Sequence, residues 1–278
     1  MQEKFTYKII TEFDSLSDIV ELQKMVWGEE VVTSLPQMVA AIHNGGVVIG
    51  AFVKERNRLV GFCYGFAGYS NLSKKPYLCS HMMAIHSQYR NQGIGERLKI
   101  KQREWAIEYG YEKIIWTFDP LEVKNGYLNL SKLGGYVKTY IKAYYGYMND
   151  KLNKDTPSDR FLLEWDLLSE PVKNVLEGDR SHQERWKKYE KLSDIRFDGE
   201  LPIPCDDTKL QPIYSGYLLP IPKEVRQIKK DSPELFQQWR SYTRNKLSEA
   251  LSSGYQVTGL IPENNIAYYV LERSDSSA

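Results

Sequence analysis

Residues 47–53, Val-Val-Ile-Gly-Ala-Phe-Val, form an apolar run between Asn44-Gly45-Gly46 and the polar Glu55-Arg56-Asn57-Arg58. That pattern predicts a buried strand closed by a hairpin turn. The chain returns as a third strand over 59–67; a first strand is expected at 4–10 and a fourth at 77–85. Two helices are expected between the first and second strands. One is capped by Asp14 or Ser15, brings Leu16, Ile19, Val20 and Gln23 near one face, and stops at Trp27-Gly28. The other starts near Leu35-Pro36, where proline suits a first helical turn, and closes at Asn44. Ile94, Leu98, Trp105 and Tyr109 predict a helix over 94–109, ended by Gly110. A fifth strand follows at 113–118, then a helix over 125–133 closed by Gly134-Gly135, strands at 136–143 and 161–167, and a polar loop at 151–158 between them.

The pattern changes near residue 169. Residues 170–191, with His182 and Trp186, read as one solvated helix, and prolines punctuate extended segments at 201–204 and 218–222. A helix over 233–251 and a hairpin of 255–261 with 266–271 complete the chain. The expected organisation is a domain over 1–168 and a smaller α+β extension over 169–278. Across 278 residues the net charge is +1, which argues against nucleic-acid or membrane-surface partners. The 3 cysteines, Cys63, Cys79 and Cys205, fit a reducing compartment rather than a disulfide framework. Residues 1–7 lack signal-peptide order, and no apolar run is long enough to span a bilayer, so a cytoplasmic protein is expected. No metal site is expected, because Cys-x-x-Cys, His-Glu-x-x-His and EF-hand patterns are absent. A Walker loop is absent too, and the third glycine of a dinucleotide fingerprint is replaced by Leu98.

The chemistry-bearing stretch is Arg90-Asn91-Gln92-Gly93-Ile94-Gly95, placed after a strand and at a helix start. Glycines there let a large anion approach the backbone, and the first-turn amides and helix dipole favour its charge. The Arg-x-x-Gly-x-Gly pattern, the preceding Met83-Ala84-Ile85, and Asn125 followed by Lys132-Leu133-Gly134 resemble the GNAT superfamily of acyl-CoA-dependent N-acyltransferases over about residues 4–146. A narrower resemblance is to a bacterial GNAT branch with a long C-terminal extension, some members of which are linked with N-acylation of amino acids. It rests on Ser80-His81-Met82, Thr117-Phe118-Asp119-Pro120, Tyr145-Gly146, Ser158-Asp159-Arg160 and Trp239-Arg240…Arg244…Gly254-Tyr255.

The resemblance implies an α/β fold of the α+β kind, with a mixed, mainly antiparallel sheet flanked by helices. It implies acetyl-CoA or another acyl-CoA as co-substrate, its diphosphate held by the amides from Asn91 to Gly95 with Arg90 fixing the loop. Met83, Ala84 and Ile85 would lie along the pantetheine arm, and Asn125 would join the cofactor-binding set. Attack by an amine on the thioester needs a base, for which His81 is placed on the strand leading to the motif; a packed core histidine is the other reading. Cys79 shares its face in a regular strand, which leaves a Cys–His acyl-enzyme conceivable. The superfamily's usual proton-donating tyrosine is replaced by Leu130. Tyr127, Tyr136, Tyr144 and Tyr145 are nearby substitutes, of which Tyr127 lies one helical turn away. Glu29 and Glu30 stand where the superfamily often binds its acceptor, and are candidates to bind or deprotonate an amine, against plain exposed loop carboxylates. Among Arg97, Lys99, Lys101 and Arg103, one is a candidate for the 3′-phosphate, against a solvated helix face. Arg226, Arg240 and Arg244 are candidates for a substrate carboxylate, against plain salt bridges. The expected activity is transfer of an acetyl or succinyl group to a small-molecule amine, an amino acid among the acceptors, by direct attack in a ternary complex, with a homodimer as a candidate assembly. The alternatives are a catalytically silent acyl-CoA-binding module and a protein lysine or N-terminal acetyltransferase.

Overall fold

The computed structural model describes residues 4–148, 156–205, 210–211 and 214–274. Of the polar loop expected at 151–158, residues 151–155 lie outside the described residues. The chain packs as two compact units, Met1–Trp116 with Tyr147–Thr156, and Thr117–Gly146 with Pro157–Ala278. These units divide at Trp116/Thr117, whereas the sequence pattern put a boundary at 168. Strands within 117–168 pack with the C-terminal strands, a pairing that local composition does not encode.

The first unit is built on β1 (Phe5–Ile9), β2 (Val47–Val53), β3 (Arg58–Tyr69), β4 (Pro76–Ile85) and β5 (Lys113–Phe118), whose last two residues belong to the second unit. β1 to β4 are antiparallel neighbours, and β5 runs parallel to β4 after a helical crossover. The helices are α1 (Phe13–Trp27), α2 (Leu35–His43) and α3 (Ile94–Tyr109). α1 starts without the expected Asp14 or Ser15 cap, its N-cap being Glu12 with no side-chain bond. α2 is capped by the Ser34 hydroxyl. Leu16, Ile19 and Leu22 of α1 and Met38 of α2 pack on Val48, Phe62, Tyr64 and Ala84, one face of the sheet. Successive strand residues alternate faces, so Cys63 points the other way, and its Sγ lies 3.7 Å from the Leu98 carbonyl of α3. α3 therefore covers the opposite face.

The buried stripe of α3 is Ile94, Gly95, Leu98, Lys99, Gln102 and Ala106. This corrects the expected stripe: Trp105 and Tyr109 lie outside it, and Tyr109 instead stacks on Trp105 and Tyr111 at the surface. Two polar residues take the inward positions, which a hydrophobicity pattern cannot register.

In the second unit, Arg160–Asp166, Tyr136–Ile141, Tyr255–Pro262, Ile266–Arg273, Gly216–Pro222 and Glu190–Lys191 lie side by side, antiparallel except for the last pair. The helix Pro233–Ser252 buries Leu235, Phe236, Trp239 and Leu247. The expected helix over 125–133 is a short α-helix, Val123–Gly126, that widens into a π-helix, Tyr127–Lys132. The single solvated helix expected over 170–191 is broken into Glu170–Glu177 and Gln183–Trp186. Gly178 ends the first piece in the left-handed region, φ 92°. Trp186 is buried, its ring lying where a side chain on Gly259 would stand. The fold is thus α/β, mainly antiparallel, with helices on the sheet faces. Among the described residues, no helix is long and apolar enough to cross a membrane.

Candidate active site

Across β3 the ladder of β4 runs from Tyr69↔Pro76 to Gly61↔Ile85. Towards β5 it holds two pairs among the described residues, Leu78↔Ile114 and Cys79↔Ile115. From Ser80 onward β4 has an open edge on that side. The amide of His86 donates to the Val60 carbonyl at 2.8 Å, which sets the phase of the antiparallel ladder. Met82 and Ala84 exchange bonds with β3, and the N–H and C=O groups of Met83 and Ile85 point out of the open edge. Ala84 is buried and engaged with Phe62, so Met83 and Ile85 are the outward-facing pair of that segment.

The register shifts between Tyr64↔Met82 and Gly65↔Ser80, leaving His81 as the extra residue of a β-bulge. Before the bulge Ser80 faces α3; after it Met83 and Ile85 do, packing near Gly95. His81 turns to the other face, edge-on to Phe66 at 5.6 Å and to Tyr64 at 6.2 Å. Cys79, paired with Phe66, shares that face. Burial lowers the His81 pKa from its ordinary value, so the ring is neutral at neutral pH. Burial pushes the Cys79 thiol up to about 11, which suits a packed thiol and not a nucleophile. The segment between α1 and α2 touches the bulge, where the Thr33 hydroxyl meets the Met82 sulfur at 3.0 Å. Buried Gln23 holds that segment, accepting from the Thr33 amide at 2.8 Å. Glu29 and Glu30 are exposed on the same segment, and Glu29 borders a hollow of about 510 Å³ lined also by Val20, Lys24 and Val32.

The motif turn follows directly. Gly93 is the N-cap of α3 at φ 78°, and Asn91 also has positive φ, 60°. A Cβ on Gly93 would meet nothing within 4 Å, so glycine is required there by backbone conformation and the space above it is open. Gly95 differs: a Cβ would stand 3.3 Å from the Ile85 side chain, so its smallness lets α3 sit on β4. The first helical bond of the turn is from the Arg97 amide to the Gly93 carbonyl, 3.1 Å. The amides of Ile94, Gly95 and Glu96 precede it and project from the helix start. Ile94 itself is buried and anchors the helix. The Arg90 Nε donates to the Ile85 carbonyl at 3.3 Å, tying the turn to the end of β4. Gln92 accepts from Lys4 at 3.1 Å and donates to the Gln88 carbonyl at 3.4 Å. The side chains of Arg90 and Gln92 thus brace the turn and leave its amides outward.

Lys99 is the residue that sequence reasoning misplaced. It is 2% exposed, turned inward from the motif helix, and too deep to meet a phosphate at the surface. Its Nζ donates to the Ser80 hydroxyl at 2.7 Å and to the Gln102 carbonyl oxygen at 3.3 Å, and lies 3.6 Å above the Trp116 ring. Burial lowers its pKa to about 7.

The remaining candidates belong to the second unit. Asn125 is exposed, and Tyr127 is 38% exposed at the start of the π-helix. Leu130 is a core residue, 1% exposed. The Tyr136 hydroxyl donates to Asp166 at 2.8 Å, and exposed Tyr145 shares a hydrogen bond with Thr117 at 3.4 Å. The three arginines considered for a substrate carboxylate hold carboxylates of this chain instead. Arg240 grips Asp119 at 2.7 and 2.8 Å, Arg244 grips Asp159 at 2.8 and 2.9 Å, and Arg226 grips Glu122 at 2.8 and 3.0 Å. Burial opposes ionisation of Asp159, yet bonds from Arg244 and Tyr140 hold its pKa below the usual value. Asp119 is thereby a structural anchor. Among the described residues, no group of three or more His, Cys, Asp or Glu side chains is placed to hold a metal.

Residues 14–125 match the profile of the Acetyltransferase (GNAT) family. That segment therefore carries a GNAT-type domain, and the activity class of that family is acyl transfer from acyl-CoA. No curated protein sequence matches the chain. In structure it is similar to an acetyltransferase from Salmonella typhimurium solved with acetyl-CoA, with TM-score 0.50 and 14% identity, covering 60% of this chain and 96% of that one. It is also similar to a GNAT phosphinothricin acetyltransferase from Sinorhizobium meliloti in complex with acetyl-CoA, with TM-score 0.49 and 18% identity, covering 64% and 98%. At 14% identity the likeness to the Salmonella protein is one of fold alone.

Proposed function

We propose that this protein moves a short acyl group, acetyl or succinyl, from acyl-CoA to the amine of a small molecule, amino acids included, by direct attack in a ternary complex. The observation that carries this reading is the outward-facing backbone of Met83 and Ile85, running straight into the Gly93 turn. An extended pantetheine arm fits such an edge as an added strand would. The amides from Asn91 to Gly95, over open space at Gly93, suit a diphosphate. Anchoring far from the thioester holds the reacting carbon in place. His81, neutral at neutral pH, is the candidate to take the proton of the attacking amine. Tyr127, an exposed residue at the start of the π-helix, is the candidate to protonate the departing thiolate. The three cysteines are free, in keeping with a reducing cytoplasmic setting. The assignment of catalysis to 1–168, with 169–278 as an extension, is part of the same proposal.

The test is thiol release from acetyl-CoA and succinyl-CoA against a panel of amino acids and other small amines. Turnover with at least one pair supports the reading, and tight CoA binding without turnover for any pair contradicts it. That second outcome would favour a silent acyl-CoA-binding module, a reading motivated by core Leu130 at the usual tyrosine position.

A further inference from the structure

The α3 face of the sheet holds a polar cluster that the proposed chemistry does not use. Lys99, Ser80 and Gln102 are 2%, 5% and 0% exposed. The Ser80 hydroxyl accepts from Lys99 and donates to the Gln102 carbonyl oxygen, both at 2.7 Å. Turning that oxygen inward leaves the Gln102 amide nitrogen buried without a partner. A buried ammonium and an orphaned amide both cost stability, and such arrangements cluster where function requires them.

The cluster meets the proposed site at one point. Ser80 is the last residue of β4 in register before the bulge, and His81 is the bulge. We infer that Lys99 is a positioning residue for acyl transfer: through Ser80 it ties the β4 bulge to α3 and so fixes His81 and the outward phase of Met83 and Ile85. This rests on the acyltransferase reading above. The inward side chains of β4 around the bulge are otherwise apolar, so this triad is the directional contact that distinguishes the bulged register from a regular one.

The tie responds to pH. From β3 Cys63 faces Lys99, from β4 Ser80, from β5 the Trp116 ring, and from its own helix Gln102, with Glu96 and Arg103 one turn to either side, while the Cys79 thiol on the opposite face of β4 is still close enough to feel its charge. Burial holds the two thiols up at about 12 and about 11, so they stay protonated across neutrality. Lys99, at about 7, changes charge there. Losing its proton removes the charge on the bond to Ser80 and the attraction to the Trp116 face.

The experiment joins two readouts on the full chain. First, amide resonances of Ser80, His81 and Met82 are followed by NMR from about pH 6 to about pH 9. They should move with one midpoint shared with the Lys99 side chain, and Lys99→Met and Ser80→Ala should each abolish that movement. Second, thiol release from acetyl-CoA is measured with the fastest amine of the panel. Both variants should lower kcat about tenfold while leaving the KM for acetyl-CoA within about threefold, as expected for misplacement rather than lost binding. Bulge amides that ignore the Lys99 titration, or variants with unchanged kcat, overturn the inference. Absence of turnover in the unmodified protein overturns the acyltransferase reading instead. Ser80→Ala removes only an oxygen and keeps the experiment decisive where Lys99→Met folds poorly.

Discussion

Replacing Lys99 by Met should change how stability depends on pH. The ε-amine has a pKa of about 7 in the folded protein against 10.5 when exposed. At acid pH both states carry the proton, and folding bears the full cost of burying it. A gap of that size corresponds to about 5 kcal/mol at about 1.4 kcal/mol per unit. Between the two pKa values the unfolded chain binds more protons than the folded one, so stability rises with pH until the penalty is gone near the unfolded value. From about pH 6 to about pH 9 the gain is about 3 kcal/mol. Methionine carries no charge, and Ser80 and Gln102 still bond to each other at 2.7 Å across the gap. Urea unfolding of both proteins, followed by circular dichroism, reads the difference. Lys99→Met should be the more stable at about pH 6, with its advantage shrinking by about 3 kcal/mol at about pH 9. In the folded protein Cys63 and Cys79 stay protonated over this range, and their ionisation in the unfolded chain is common to both proteins, so the difference belongs to Lys99. Parallel pH dependence of the two proteins would refute the buried-charge argument, as would a Met variant less stable at the acid end.

Gly93→Ala should cost about 1 kcal/mol in stability through its positive φ alone, since the added methyl meets nothing, and should weaken acetyl-CoA binding measured by calorimetry. Arg240→Ala should destabilise the second unit by about 3 kcal/mol in thermal or urea unfolding, because it removes the two-pronged partner of the little-exposed Asp119 carboxylate and leaves it only Arg160 at 4.0 Å and the Leu121 amide. Tyr127→Phe should lower kcat for thiol release at least tenfold with little change in the KM for acyl-CoA if that hydroxyl is the proton donor. An unchanged kcat would remove Tyr127 from the mechanism.

The strand-and-helix order of the first unit was legible because most of its elements carry an apolar period bounded by glycine or proline, although that period misplaced the buried stripe of α3 and α1 starts without the expected cap. The motif was legible because Gly93 and Gly95 sit at the one place in a strand–helix junction where backbone conformation and close packing demand them. What the pattern could not carry were contacts between distant residues. Lys99 and Gln102 look like solvated helix positions until Ser80, 19 residues before Lys99 and on the neighbouring strand, is placed beneath them. Arg240 and Arg244 look like ligand-binding residues until Asp119 and Asp159, far away in sequence, are found in their grip. The break in 170–191 depended on Trp186 covering Gly259, another long-range pairing. The bulge at His81 is set by register against β3, which no single strand reveals.

A crystal soaked with acetyl-CoA shows whether the open edge of β4 and the turn behind it hold an acyl-CoA. The pantetheine arm should be hydrogen-bonded to the backbone of Met83 and Ile85, with the diphosphate on the amides between Asn91 and Gly95. Density for the nucleotide elsewhere, with those backbone groups untouched, would contradict it.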